Sequence, residues 1–266
     1  MRRHTILLVI LFLSVSSAAA QRTKPADSNE LAGMTERGRQ LFEYDQAAWH
    51  ATDAVKALRP TDGRVRGYVA ERTESGWRVL FGMLTEDRDG FLVVYEATSN
   101  ANSSEYTARL VDPARIERGR TLGRARALET CRVLFGSRDR PYNIAVIDAA
   151  DNRYWVYVLP AQTNAEVFPH GGDIRYLVGP DGTTVIETRE LHRTILEMRT
   201  PKDMTLSMGF HTAVVDEVPE DTDVFYVLSR KPSIPEMVAT RTFVYRIDVT
   251  GGITYLGKAK DLFKGK

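Results

Sequence analysis

Three of the five histidines in this 266-residue chain, His170, His192 and His211, fall close together in its C-terminal half. Imidazole nitrogens ligate transition metals at ~2 Å, and three of them with an open fourth position make a zinc hydrolytic site. The stretch 170–196, HGGDIRYLVGPDGTTVIETRELHRTIL, reads as two β-strands joined at Gly179-Pro180-Asp181-Gly182. Pro180 presets the φ of a type I turn, Asp181 suits the next position, and Gly182 accepts φ > 0 as the bulge residue. In the register this turn predicts, Val178 faces Thr184, Tyr176 faces Ile186 and Ile174 faces Thr188. Extended to the open end, the same register sets His170 opposite His192, ~5 Å apart at Cβ and close enough to share a metal. His211, on the following strand, is the third candidate ligand. Asp173 or Glu187 would orient an imidazole or activate water. Two features oppose this pairing: Gly171-Gly172 breaks the strand beside His170, and residues 190–198 read as a helical or irregular exit.

No other motif names a reaction. The chain has no G-x-S-x-G elbow, no H-E-x-x-H, no C-x-x-C, and no G-x-G-x-x-G after a strand. The string GRTLGRAR at 119–126 lacks the Gly-Lys-Ser/Thr ending of a Walker A loop. Cys131 is the only cysteine, so no intramolecular disulfide can form, and its helical setting reads as a buried thiol. In the loop DEVPEDTD, Asp216, Glu217, Glu220, Asp221 and Asp223 offer oxygens for Ca²⁺ but lack the EF-hand spacing, so a solvated acidic turn is expected. Asn102-Ser103-Ser104 fits a glycosylation acceptor and is read as a loop.

The elements that must position the histidines follow from periodicity. Leu41, Tyr44, Ala48, Ala51, Val55 and Leu58 recur at 3–4 spacing, which predicts an amphipathic helix over 35–58 with Thr35 as its cap. A second helix is predicted over 112–135, capped by Asp112 with Pro113 at its first position. Its six arginines form what reads as a solvated basic face. Predicted strands cover 65–71, 77–84, 91–98 and 106–110, then 142–148, 153–159, 209–215, 222–229, 239–249 and 253–256, joined by short hairpin turns. The expected fold class is therefore α+β: antiparallel β-meanders with two principal amphipathic helices packed on the sheets. The expected division is 1–20 signal peptide, 21–34 flexible N-terminus, 35–136 helix, antiparallel sheet and second helix, and 137–266 a β-rich unit that can continue the same domain.

Arg2-Arg3, the apolar run 6–15 and Ala18-Ala19-Ala20 follow the order of a secretory signal peptide, with cleavage expected after Ala20. The run is too short for the ~20 residues a membrane span needs, so no stable membrane insertion is expected. Loss of two arginines leaves 34 basic residues against 35 acidic ones, a balance with no electrostatic case for nucleic acid. The sequence thus reads as a secreted or periplasmic, non-enzymatic α+β protein that binds a protein partner or small ligand through one face of its sheet and carries no cofactor. The alternative is a metal-dependent hydrolase with zinc on His170, His192 and His211.

Overall fold

Helix α1 (Ser28–Ala57) begins inside 21–34, which the sequence suggested was a flexible segment, because Asp27 and Glu30 form a capping box. The Asp27 carboxylate accepts from the amides of Asn29 and Glu30, each at 2.9 Å, and Glu30 accepts from the Asp27 amide at 2.9 Å. Such reciprocal caps satisfy donors that a helix start leaves unpaired. Thr35, expected as the cap, lies inside the helix, where its hydroxyl donates to the Gly251 carbonyl. The structure is a computed structural model describing residues 22–61, 63–100, 104–164, 166–199 and 206–264. The expected signal peptide and Asn102 lie outside the described residues.

The first sheet is the antiparallel meander β1 (Gly67–Thr73), β2 (Gly76–Leu84), β3 (Phe91–Asn100) and β4 (Thr107–Glu117). Strand β4 runs through Pro113, where a helix start was expected. It is an edge strand, so a residue without an N–H costs little there, and its register against β3 shifts around residues 111–114. Helix α2 (Gly119–Phe135) follows, seven residues later than the helix cap predicted at Asp112. Two of its arginines are tied to the first two sheets and their turns: Arg124 donates to Glu71 and Asp148, and Arg126 to Asp89 and the Arg88 carbonyl, while Arg132 pairs within the helix with Glu129. Cys131 is buried on its inner face, as expected.

A second antiparallel sheet has the order β5-β6-β8-β9, made by β5 (Tyr142–Asp148), β6 (Tyr154–Pro160), β8 (Ile174–Val178) and β9 (Val185–Glu190). Between β6 and β8, β7 (Val167–Gly171) leaves this sheet and pairs antiparallel with β10 (Ile195–Arg199). Residues 190–198 are thus no helix: β9 ends, an irregular turn passes His192, and β10 begins. The last sheet joins β11 (Gly209–Thr212), β12 (Glu236–Ala239), β13 (Phe243–Ile247) and β14 (Ile253–Lys258), with β11 parallel to β12 and the others antiparallel. Residues 222–229, expected as a strand, are helix α3 (Asp221–Ser229). A short apolar run carries no decisive period, and the acidic first turn decides for helix. A final turn of helix, α4 (Ala259–Leu262), ends the fold.

The main core joins the two long helices to the first two sheets, and the last sheet packs on two smaller clusters around Phe243 and Tyr245 and around Val238 and Ile247. Leu41, Tyr44 and Val55 of α1 and Leu128 of α2 pack between Val69, Leu80 and Val93 of the first sheet and Val146, Val156 and Tyr176 of the second. Helix α1 also lies along α3. Among the described residues no helix is long and apolar enough to cross a membrane.

The turn at Gly179-Pro180-Asp181-Gly182 forms as predicted, with Gly182 at φ +74° and Asp181 accepting from the Thr183 and Thr184 amides. The strands beyond it pair two residues out of the expected register: Tyr176 faces Thr188 and Ile174 faces Glu190, with an irregularity at Leu177/Val178. A Cβ on Gly182 would sit 2.4 Å from the Gly123 carbonyl of α2, so this turn is also the seat of the hairpin on that helix. Gly182→Val therefore combines a disfavoured backbone with a backbone clash. It is expected to cost about 2 kcal/mol or more, read as a lowered urea midpoint; a midpoint equal to wild type would refute this seating.

Candidate metal centre

His170 lies on β7, His192 in the turn between β9 and β10, and His211 on β11. The structure brings all three to the first turn of α3. Their Nε2 atoms surround one oxygen of Asp223: the distances to Asp223 Oδ1 are 3.3 Å from His170, 3.1 Å from His192 and 3.3 Å from His211. One ligand atom from each of the four residues can be chosen so that all lie within 4.8 Å of one another.

The expected convergence is real, but the expected route to it is not. His170 does not face His192 across a hairpin; its strand partner is Leu196. The two rings meet, with centroids 5.7 Å apart, because Gly171 and Gly172 turn the chain sharply at φ +85° and +68°. A Cβ on Gly171 would lie 2.5 Å from the Thr194 carbonyl, so only glycine lets the His192 turn come this close. His170 is then fixed by stacking on Tyr226 of α3, with centroids 4.4 Å apart and planes inclined by 29°.

Buried carboxylates orient the other two rings. Asp173, fully buried, lies 2.7 Å from His192 Nδ1, the orienting role expected of it. Glu236, also fully buried, lies 3.1 Å from His211 Nδ1 and accepts from Arg230 on its other oxygen at 3.0 Å. A carboxylate on Nδ1 leaves Nε2 as the outward lone pair, the arrangement that orients metal-ligating histidines. Glu187, the other acid expected to assist, is exposed on β9 and has no part in these contacts.

The acidic loop is not the solvated turn it resembled. Glu217, Glu220, Asp221 and Asp223 are all buried. Asp221 accepts from Arg37 at 2.8 Å, from the Tyr157 hydroxyl at 2.7 Å and from Arg175. Glu217 holds the β12–β13 turn through Thr240 and the Thr242 amide. Asp223 accepts from the Glu220 amide through Oδ2, which caps the helix and aims Oδ1 at the histidines. Asp223 and Glu236 are the site residues that sequence reasoning missed. The one signal for Asp223 was an E-x-x-D pair directly ahead of the wholly apolar VFYVL, a pattern for a buried helix start; Glu236 carried none.

The electrostatics follow from burial opposed by charge. Burial disfavours the charged form of His192, but the carboxylates of Asp223 and Asp173 outweigh it and lift its pKa to about 11. Burial likewise opposes charge on His211, where Asp223 and Glu236 raise the pKa to about 9. His170 is held below the ordinary imidazole value by its burial, which its contact with Asp223 only partly offsets. Burial would raise the Asp223 pKa, yet the facing imidazoles hold it well below the carboxylate range.

Tetrahedral coordination with bonds of 2.0–2.1 Å sets ligand atoms ~3.3 Å apart. The three nitrogen-to-oxygen separations around Asp223 have this size. His192 Nε2 and His211 Nε2 are buried and meet Asp223 as ion-pair partners at 3.1 and 3.3 Å. Three imidazoles and one carboxylate suit a borderline divalent ion such as Zn²⁺ and not the oxygen-seeking Ca²⁺ or Mg²⁺. Comparisons with protein-family models, curated proteins and solved structures found no match to this chain.

These shifts set how the fold responds to pH when a chelator is present. His192 and His211 hold protons more tightly folded than unfolded. Their contribution is complete below the unfolded value near 6.5 and is lost as pH rises through about 9 to 11. His170, shifted the other way, costs stability only as pH falls below that unfolded value. In EDTA the urea midpoint should therefore fall from pH 7 to pH 9.5, and less steeply in His192→Gln; a midpoint that rises over this interval would contradict the assignment.

Proposed function

We propose that this is an exported α+β protein that holds one divalent transition-metal ion, zinc foremost, on Nε2 of His170, His192 and His211 and on Asp223. The observation that carries the reading is the convergence of three imidazole nitrogens on a single oxygen of a fully buried aspartate. Structural imidazoles usually satisfy both nitrogens with protein partners; three edges turned to one point is the arrangement of a ligand set. The ion would tie β7, the His192 turn, β11 and α3 together and replace protons as the counter-charge of Asp223. In this reading the ligand of the protein sits at the junction of four chain segments, not on an exposed sheet face. Of the two acids the hydrolytic alternative called on, Asp173 lies against His192 and Glu187 is exposed on β9.

Full-length mature protein purified without an affinity tag and dialysed against zinc should retain one ion per chain by elemental analysis. His211→Ala should abolish retention, and Asp173→Asn should weaken it about ten- to a hundredfold, the usual effect of removing a carboxylate behind a ligating histidine. Zinc must displace the protons on His192 and His211, so its apparent affinity should rise with pH, by up to about a hundredfold per unit between pH 6.5 and 8. Wild-type protein that retains no transition metal under these conditions overturns the proposal.

A further inference from the structure

A small pocket opens against the outer side of the three histidines. Its volume is about 30 Å³, enough for one or two atoms of a ligand beyond the first water-sized position. His170, His192 and His211 all form its wall, whereas Asp223 and Asp173 do not. The carboxylates therefore approach the centre from the protein side and the pocket approaches it from the opposite side. Zinc held by four protein ligands is ordinarily a closed tetrahedral site, but here the pocket leaves one side of the three histidines uncovered, the direction from which a fifth ligand would reach the ion.

The chemistry of the wall indicates what would occupy that direction. Arg193, Thr194 and Thr212 supply its polar groups. Arg193 is exposed and has no ion pair or hydrogen bond among the described residues, unlike Arg175, Arg189 and Arg230, which are each paired with a buried acid nearby. Leu196 and Val214, 46% and 68% exposed, complete the rim with apolar surface. A divalent ion with one directly bound carboxylate, a free guanidinium beside it and an apolar rim together favour an anion with a small apolar body.

We infer that a small carboxylate binds to the ion of this site as an additional ligand, entering from the pocket side and pairing with Arg193. This rests on the metal-binding reading proposed above. One carboxylate oxygen adds to the ion as a fifth ligand, the second faces the guanidinium, and no bond within the carboxylate is broken. The size of the pocket restricts the part that enters to the carboxylate group itself, so the rest of the molecule lies over Leu196 and Val214.

The test uses the full-length mature protein loaded with Co²⁺, whose visible absorption reports the ligands of the ion. Cobalt content is measured first, and formate and azide are then titrated separately into the loaded protein. The expected result is a saturable change in the cobalt spectrum with one anion per ion and an apparent affinity about three- to tenfold weaker in Arg193→Ala, restored in part by Arg193→Lys. Because Arg193 is exposed and unpaired, its replacement leaves the fold and the cobalt content intact, which the same samples verify. A protein that binds no cobalt would fail the metal-binding reading itself. One that binds cobalt stoichiometrically but shows an unchanging spectrum with both anions would leave that reading standing and overturn this inference. A spectral change equally strong in Arg193→Ala would overturn the pairing with the guanidinium.

Discussion

Two carboxylates buried at the start of one short helix govern the assembly of this molecule. Asp221 and Asp223 have 1% and 0% exposure, and an ionised carboxylate taken out of water is costly unless cations and donors surround it. The N-terminus of α3 supplies part of the compensation through its free amides and dipole. The remainder must come from elsewhere in the chain, and the two acids draw on separate sources. Arg37 of α1, Arg175 of β8 and Tyr157 of β6 converge on Asp221, while the three histidines converge on Asp223. The first group ties α3 to the main core; the second ties it to the β7–β10 ribbon and the last sheet.

Seen this way, the imidazoles and an ion are alternative solutions to the same electrostatic problem. Protons on His192 and His211 neutralise Asp223 at moderate pH, and a divalent cation would do so without them. Either solution needs the rings to keep their present orientation, which Asp173, Glu236 and the face of Tyr226 enforce. A site whose orienting groups are themselves fully buried has little freedom to rearrange, so the geometry is built in before any ligand arrives.

How much of this was legible in the sequence depended on the range of the interaction. Local chemistry was readable: the Pro180-Asp181-Gly182 turn, the strands at 142–148 and the stripe of α1 all rest on contacts within a few residues. Register was not, because Val178 already pairs one residue out, with Val185, and the irregularity at Leu177/Val178 adds one more, a shift that a hairpin turn alone does not encode. The three histidines were singled out by residue type and spacing, yet the argument from facing strands would have paired His170 with His192 where the fold pairs it with Leu196. Asp223 was hidden for a different reason. A run of acids reads as solvated surface unless one knows that Arg37, Arg175 and Arg189, from distant parts of the chain, come to meet it. The helix start at Ser28 was missed by less: the Asp27 and Glu30 pair was present, but the polar residues around it resembled a tail.

The four side chains at the centre come from β7, a turn, β11 and α3, separated by loops whose closure only the folded core enforces. In the unfolded chain no two of them are neighbours, so a metal meets isolated imidazoles and carboxylates there and gains little from any one of them. On the metal-binding reading, selection among competing cations is thus postponed until the polypeptide collapses. An ion bound here would reflect the cation pool of the place where folding happens, and a chain that crosses a membrane before folding would take its metal from the far side and not from the cytoplasm where it was made.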